Sequence, residues 1–292
     1  MRLVSVIVDG KRLAGVVDGE EVLVIEAPGL DAAIAAEIDL GAAGGRRLPL
    51  DQVRLDAPLR PPVVFCMGQN YRDHLDEKAP VEIAEPEFFL KAGQTVAAPD
   101  EPCVLDGRVT AKLDYETELG VVIGRRARHV PPERAFDHVL GYVVVNDLTA
   151  RDRQVVPLEA GGFTTALGPG KNFDGSTRFG AWITPAAEVP DARALTLTTH
   201  VNGELRQSNS TAAMIQGVGE LVSLLSRLLT LWPGAMISTG TPGGTGWGQD
   251  ADLGGTGATP AGCAPGAYLR PGDRVESRIE QVGELAFDVV AP

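Results

Sequence analysis

The sequence predicts a mainly β protein with a few helices, an α+β chain. Short apolar runs rich in valine and isoleucine recur along it and greatly outnumber the stretches with helical periodicity. Asp-Gly or Asn-Gly pairs follow several of these runs, at residues 9–10, 18–19 and 202–203, and such pairs are typical of tight hairpin turns. Only residues 211–232 have the apolar spacing of a long amphipathic helix.

The first 58 residues predict a small β module. Three strands and one alanine-rich helix are expected there, at residues 3–8, 12–17, 21–25 and 30–38. The glycines of residues 41–45 and the Arg60-Pro61-Pro62 sequence indicate a linker. We therefore divide the chain into a module of residues 1–58 and a larger domain of residues 59–292.

In the larger domain, buried strands are predicted where apolar runs end at glycine or polar residues. These strands and the final hairpin are expected at residues 63–67, 88–91, 119–123, 141–145, 195–207 and 274–290. The helix at 211–232 carries one apolar face, which predicts burial in the core, and Pro233-Gly234 is expected to end it. Residues 243–272 are rich in Gly, Ala and Pro, so we expect a long surface loop that is ordered beside the site or a dimer contact.

Composition excludes several classes of function. The 292 residues carry a formal net charge of −13 and no run of more than two basic residues, which argues against nucleic acid or an anionic membrane as a partner. Three cysteines at unrelated spacings predict neither a disulfide framework nor a cysteine-rich zinc site. The N-terminal apolar run is too short for a signal peptide, and no run is long enough to span a bilayer, so we expect a cytoplasmic protein.

Three carboxylates are placed where they could bind a metal ion. Glu116 and Glu118 are two residues apart beside a predicted strand, so their side chains point the same way. Asp147 ends a second apolar run, and no cysteine or histidine is near the three acids in the sequence. An oxygen-only site suits Mg²⁺, with Mn²⁺ or Ca²⁺ as alternatives. The other interpretation is that the two glutamates face solvent and pair with Lys or Arg.

His74 and Glu77 form a possible acid–base pair. They follow the strand at 63–67 in a polar, helical stretch, where residues three apart share a face. The carboxylate could then orient and polarise the imidazole, as a general base requires. A solvated surface pair is the alternative, and Lys171 taken alone is a loop lysine in water. The segment 72–84 could be a lid.

Ordered sequence blocks over residues 60–290 resemble the fumarylacetoacetate hydrolase family, in its acylpyruvase and oxaloacetate decarboxylase-like branch. The blocks are Gly68-x-Asn-Tyr-x-Asp-His-x-x-Glu77, Phe88-x-x-Lys91, Asp114-Tyr-Glu-x-Glu-Leu119, Asn146-Asp-x-x-Ala-Arg-Asp-x-Gln154, Lys171-x-Phe-Asp174, Val201-Asn-Gly-Glu204 and Thr239-Gly-Thr-Pro242. Residues 1–58 resemble the small N-terminal module that many members carry. One departure is the long stretch from Gly243 to Pro271, where most members have a short turn.

The resemblance implies a mixed β-roll with peripheral helices, a divalent cation and a homodimer. It implies that Glu116, Glu118 and Asp147 bind the metal, and that His74, Glu77 and Lys171 are catalytic. The positions that it implies for contact with substrate are Gln69, Tyr71, Lys91, Arg151, Gln154 and Thr241.

The function implied is hydrolysis of a C–C bond in a 2,4-dioxo acid, an acylpyruvate, through a pyruvate enolate stabilised by the metal. In this mechanism His74, held by Glu77, activates the attacking water, and Lys171 offsets negative charge. Oxaloacetate decarboxylation, or isomerisation or hydration of a 2-oxo-enoic acid, could use the same site. A non-catalytic protein that binds a metal and an oxo acid is the alternative of another class, but it has no use for His74 and Glu77.

Overall fold

The computed structural model describes residues 1–78 and 87–292, and its first sheet is built from the N-terminal residues. The order in this sheet is β4-β3-β2-β1-β5. Its strands are β1 (Arg2–Val8), β2 (Lys11–Asp18), β3 (Glu21–Ile25), β4 (Arg46–Pro49) and β5 (Arg54–Asp56), and helix α1 (Leu30–Ala35) lies between β3 and β4. Asp9 and Gly10 join β1 to β2 with φ values of 50° and 73°, as a type I′ turn requires.

The module differs from the prediction in two places. The helix expected to reach Ile38 ends at Ala35, and Glu37 has a positive φ of 54° that no helix can accommodate. Strands β4 and β5 were not predicted, because they are short and mostly exposed and therefore lack an apolar pattern. Leu3 exchanges backbone hydrogen bonds of 2.9 and 2.8 Å with Ile183, which docks the module on the rest of the chain.

Seventeen further strands and four helices follow among the described residues. The strands are β6 (Val63–Met67), β7 (Phe88–Ala92), β8 (Val96–Ala97), β9 (Cys103–Val104), β10 (Leu113–Asp114), β11 (Thr117–Ile123), β12 (Val139–Asp147), β13 (Thr149–Ala150), β14 (Val155–Pro157), β15 (Phe163–Thr165), β16 (Thr177–Phe179), β17 (Thr184–Pro185), β18 (Thr196–Val201), β19 (Glu204–Ser210), β20 (Met236–Ser238), β21 (Arg274–Ile279) and β22 (Gly283–Val290). The helices are α2 (Arg72–Asp76), α3 (Arg151–Gln154), α4 (Leu167–Lys171) and α5 (Val218–Leu228).

Two mixed sheets form the larger domain. One has the order β7-β6-β20-β11-β12-β16-β8, with β17 also paired to β12, and the other has the order β19-β18-β21-β22-β9. Strands β11 and β12 lie in the middle of the sheet that begins with β7, and every residue of β11 is buried. Their apolar side chains pack with those of the second sheet and of α5 in one core. The prediction of a mainly β chain with peripheral helices is therefore confirmed.

The predicted long helix is much shorter than expected. Residues 211–213 form a separate 3₁₀ turn, α5 begins at Val218, and it ends at Leu228, before Pro233-Gly234. The apolar face of this helix was predicted to be buried in the core, but Leu228 is 57% exposed, so the prediction is wrong at this end of the helix. No helix in the described part of the chain is long and apolar enough to cross a membrane.

Residues 243–272, hereafter called the insertion, form a loop that is only partly exposed. Residues 243–248 are buried, whereas most of 250–264 is partly or fully exposed. Two short 3₁₀ turns, Trp247–Gln249 and Ala251–Leu253, are its regular elements. The prediction of a surface loop is therefore wrong for residues 243–248. Glycine has no side chain, so a glycine-rich segment can be buried without showing an apolar pattern in the sequence.

Candidate active site and metal centre

The pairing of β11 with β12 brings three carboxylates together. Thr117 lies opposite Asn146 in this antiparallel pair, and the Asp147 amide donates a 2.9 Å hydrogen bond to the Glu116 carbonyl. As a result Glu116, Glu118 and Asp147 present carboxylate oxygens that all lie within 4.8 Å of one another. Each of the three residues is no more than 3% exposed. The alternative that the glutamates face solvent is therefore wrong.

Buried cations surround two of these carboxylates. The Lys171 ammonium contacts Glu116 and lies 2.8 Å from an oxygen of Asp147, and Lys91 also pairs with Asp147. The Arg151 guanidinium donates to Glu116 at 2.6 Å. Burial alone would lower the pKa of Lys171, but Asp147 and Glu116 outweigh it and raise that pKa. Lys171 lies at the end of α4 and is only 2% exposed, so it is not a loop lysine in water.

Glu118 has a different environment. It accepts hydrogen bonds from the Ser238 hydroxyl at 2.5 Å and the Gly240 amide at 2.9 Å, but no lysine or arginine among residues 1–78 and 87–292 pairs with it. Burial and the nearby charges of Asp147 and Glu116 raise the pKa of Glu118 to about 8. A buried carboxylate without a counter-ion, next to two others, fits a divalent cation with oxygen ligands.

His74 and Glu77 form the expected pair, with 2.7 Å between His74 Nδ1 and Glu77 Oε2. Three further donors reach the Glu77 carboxylate: the amides of Gly244 and Thr245 at 2.6 and 2.9 Å, and the Thr245 hydroxyl at 2.8 Å. Oε1 accepts from both amides and Oε2 accepts from the hydroxyl, so both oxygens of Glu77 are acceptors in this arrangement. Nδ1 therefore donates its proton to Glu77, and Nε2 keeps the free lone pair that a base requires.

The insertion holds this pair in place. The Thr256 amide donates to the Glu77 carbonyl at 3.0 Å, and the Thr256 hydroxyl donates to the Asp76 carbonyl at 2.8 Å. The Trp247 ring meets the His74 ring edge-on, with 6.2 Å between centroids. A Cβ at Gly248 would lie 2.7 Å from Glu77 Oε1, so only glycine fits there. Residues 72–78 of the predicted lid are thus packed against the insertion, and residues 79–84 lie outside the described residues.

Arg151 connects the insertion to the acidic cluster. Besides its bond to Glu116, it donates to Asp114 and to Gln154, each at 2.7 Å. Asp114 also accepts from the backbone amides of Gly246 at 2.8 Å and Trp247 at 3.1 Å. The guanidinium is fully buried, and its three partners fix its plane.

Four of the six predicted substrate contacts line a cavity that Glu116, Glu118 and His74 also line. These four are Gln69, Arg151, Gln154 and Thr241. Gln69 has a positive φ of 56°, and its buried Oε1 has no partner among the described residues, as expected of a group that meets a ligand. Thr241 accepts from Gln207 at 2.9 Å and donates to the Thr117 carbonyl at 3.0 Å, so its side chain is fixed.

Tyr71 and Lys91 do not line this cavity, and their contact with substrate stays a prediction. Tyr71 is fully buried behind it and pairs its backbone with Met214. Lys91 is also fully buried, and its ammonium contacts Asp147 and the Ser176 carbonyl at 2.8 Å. Lys91 therefore holds the Asp147 carboxylate from behind, a position that the Phe-x-x-Lys pattern alone could not distinguish from substrate contact.

Asp114, Lys78 and Trp247 are among the residues of the site that were not predicted. Asp114 belongs to the Asp-Tyr-Glu-x-Glu block, and its position in that block could have indicated that it is part of the site. Lys78 directly follows Glu77, and Trp247 is one of only three tryptophans, but neither has a pattern that indicates a site. Both line the cavity.

Comparison with known proteins places this site in a family. A model of the fumarylacetoacetate (FAA) hydrolase C-terminal domain matches residues 63–290, and a model of the Rv2993c-like N-terminal domain matches residues 1–58. The chain belongs to the fumarylacetoacetate hydrolase family. The predicted family and its fold are therefore confirmed, while the exact domain boundary at residue 58 stays a prediction.

Relatives within the fumarylacetoacetate hydrolase family bear the names of different enzymes. Oxaloacetate tautomerase YisK of Bacillus subtilis is 36% identical over 244 residues, 82% of this chain and 74% of that protein. A fumarylacetoacetate hydrolase from Exiguobacterium antarcticum has a TM-score of 0.79 and 34% identity, with complete coverage of both chains. Maleylpyruvate hydrolase from Sphingobium sp. SYK-6, in complex with manganese(II) and pyruvate, has a TM-score of 0.74 and 29% identity, covering 100% of this chain and 99% of that one.

Proposed function

We propose that this protein is a divalent-metal-dependent hydrolase that cleaves the C3–C4 bond of 2,4-dioxo acids of the acylpyruvate type, with Mg²⁺ as its metal. The observation that carries the proposal is that His74, paired with the buried Glu77, lines the same cavity as Glu116 and Glu118. A metal-stabilised binding protein would have no need for an oriented base there. The manganese and pyruvate in the Sphingobium relative support the same class of chemistry.

Glu116, Glu118 and Asp147 would hold the metal. When bound, it would polarise the 2-oxo group and offset negative charge on the enolate oxygen. Lys171, already between Glu116 and Asp147, supplies a second positive charge to the same region. Lys91 and Arg151 keep two of the three carboxylates in place from outside the cluster.

His74 is the base in this proposal. Its Nε2 takes a proton from water, and the hydroxide adds to the C4 carbonyl. The C3–C4 bond then breaks, and its electron pair passes to the pyruvate fragment as an enolate while C4 leaves as a carboxylic acid. Protonation of C3 by the His74 imidazolium gives pyruvate and restores the base. Glu77 stabilises the imidazolium between the two proton transfers.

Tautomerisation of oxaloacetate is a second candidate, favoured by the name of the Bacillus relative. Here His74 would move a proton between C3 and the enol oxygen, and no water would attack. Decarboxylation and isomerisation, expected as alternatives from the sequence, also proceed without an attacking water. The distinction is therefore whether pyruvate and a carboxylic acid form in equal amounts.

The test is a panel of acetylpyruvate and oxaloacetate with Mg²⁺ or Mn²⁺, followed by loss of enol absorbance and by pyruvate formation. We expect His74→Ala to lower acetylpyruvate turnover by about 10²- to 10⁴-fold at saturating Mg²⁺, with little change in Mg²⁺ affinity. His138→Ala, at a surface histidine, is the matched control. Wild-type turnover by His74→Ala would refute the proposal. Light scattering on the same samples would test the homodimer, which stays a prediction.

A further inference from the structure

Lys78 is a buried cation that the proposed mechanism does not use. It is 8% exposed, lines the cavity, and places its ammonium 5.0 Å from the centroid of the Trp247 ring. Within residues 1–78 and 87–292 it makes no ion pair, and its ammonium donates no hydrogen bond. Contact with an aromatic face compensates only part of the cost of removing an ammonium from water.

The other cations on the cavity are already paired. Arg151 makes hydrogen bonds to three side chains, and Lys171 contacts two carboxylates of the acidic cluster. Arg151 also lies against the Trp247 ring, with its Cζ 5.1 Å from the centroid, so the charges of Lys78 and Arg151 are no more than about 10 Å apart. Burial and this nearby guanidinium lower the pKa of Lys78 to about 8.

The backbone fixes the position of Lys78. It forms an isolated β-bridge with Gly255 of the insertion, while the preceding residue, Glu77, is held by Gly244 and Thr245. The side chain therefore enters the cavity from a fixed point rather than from a free surface. Glu87 also lines the cavity, without forming an ion pair with Lys78.

We propose that Lys78 binds a second carboxylate of the substrate, so that the substrate is a 2-oxo diacid rather than an acylpyruvate with an apolar tail. This inference rests on the proposed function and names its substrate class. An incoming carboxylate gives the ammonium the partner that it lacks among the described residues, and the Trp247 ring excludes water from the pair. A substrate with an apolar tail would leave the Lys78 ammonium buried without a charged partner among the described residues.

The test compares two substrates of equal length, succinylpyruvate and butanoylpyruvate, which differ by a carboxylate in place of a methyl group. A charge-assisted hydrogen bond in a buried site favours the diacid by about 10- to 100-fold in kcat/KM for the wild-type enzyme. Lys78→Met keeps the length of the side chain and removes the charge, so it should lose this preference through a rise in KM for succinylpyruvate. Lys78→Gln provides a second variant of similar volume.

Lys112→Met is the matched control. Lys112 also lies against an aromatic ring, that of Tyr268 at 5.8 Å, but it pairs with Asp250 and does not line the cavity. It should keep the diacid preference. Equal use of both substrates by the wild type, or an equal fall of kcat for both in Lys78→Met, would overturn the role of Lys78 and leave the hydrolase proposal intact.

Failure of the hydrolase proposal is recognised separately. If neither compound is cleaved, binding of each to the Mg²⁺-loaded wild type and Lys78→Met is measured by calorimetry. Tighter binding of succinylpyruvate that disappears in Lys78→Met would still support the carboxylate site, whereas equal affinities would refute it.

Discussion

Replacing Glu77 by Gln should inactivate the enzyme by trapping His74 in the wrong tautomer. Four donors point at the Glu77 carboxylate, two backbone amides at Oε1 and the Thr245 hydroxyl with His74 Nδ1 at Oε2. A glutamine offers one oxygen and one NH₂ group. The oxygen must face the two amides, because an amide N–H cannot accept a hydrogen bond. The NH₂ group then faces His74, whose Nδ1 must accept and whose proton must move to Nε2.

The size of the effect follows from the loss of the base. With Nε2 protonated, His74 cannot take a proton from water, and loss of general-base catalysis typically costs about 10²- to 10⁴-fold in rate. At 1.36 kcal/mol for each tenfold change, this raises the barrier by about 3–5 kcal/mol. The hydroxyl of Thr245 can rotate and accept instead, so folding should lose only about 1–2 kcal/mol.

The assay measures kcat for acylpyruvate hydrolysis at saturating Mg²⁺, together with thermal unfolding. Thr245→Val is the control, since it removes one hydrogen bond to Glu77 and leaves the carboxylate charge and the tautomer of His74 unchanged. We expect its kcat to stay within about tenfold of the wild type. Full activity in Glu77→Gln, or an equal loss in Thr245→Val, would refute the tautomer argument.

Three further predictions concern the metal, the module and the insertion. Glu118→Gln should abolish the rise in melting temperature caused by Mg²⁺, while the metal-free protein melts no lower than the wild type because carboxylate repulsion is relieved. Burial would raise the pKa of Asp56, but Arg60 outweighs it and lowers that pKa, so its stabilisation is present above pH 4 and is lost on acidification. Asp56→Asn should therefore destabilise at pH 7 by about 1–3 kcal/mol, and this loss should shrink steadily as the pH falls below 4, as measured by urea unfolding. Gly248→Ala should lower kcat at least tenfold by displacing the dyad carboxylate, whereas Gly107→Ala, where the added methyl meets open space, should change nothing measurable by the same assay.

The acidic cluster could be predicted because its cause is local. Strands β11 and β12 are continuous apolar runs, and the alternation of side chains along a strand fixes where Glu116 and Glu118 point. Asp147 ends the neighbouring strand, so pairing alone brings it to the same place. The His74–Glu77 contact is local for a similar reason, since the two residues are three apart at one helical turn.

The rest of the site depends on contacts between distant parts of the chain. The bond from Trp247 to Asp114 joins residues 133 apart in sequence, and that from Thr245 to Glu77 joins residues 168 apart. The insertion residues that make these bonds use backbone amides, which every sequence has. No periodicity could therefore identify them, and Lys78 could be recognised as a buried cation only after the insertion was seen to cover it.

The buried start of the insertion holds two parts of the proposed site at once. The amides of residues 244 and 245 bind Glu77, which orients the base, and the amides of residues 246 and 247 bind Asp114. Asp114 in turn holds Arg151, which binds Glu116 of the metal cluster. A shift of this short segment would therefore disturb the base and a metal ligand together. The first five residues of the insertion therefore connect the His74–Glu77 pair to the acidic cluster through Asp114 and Arg151.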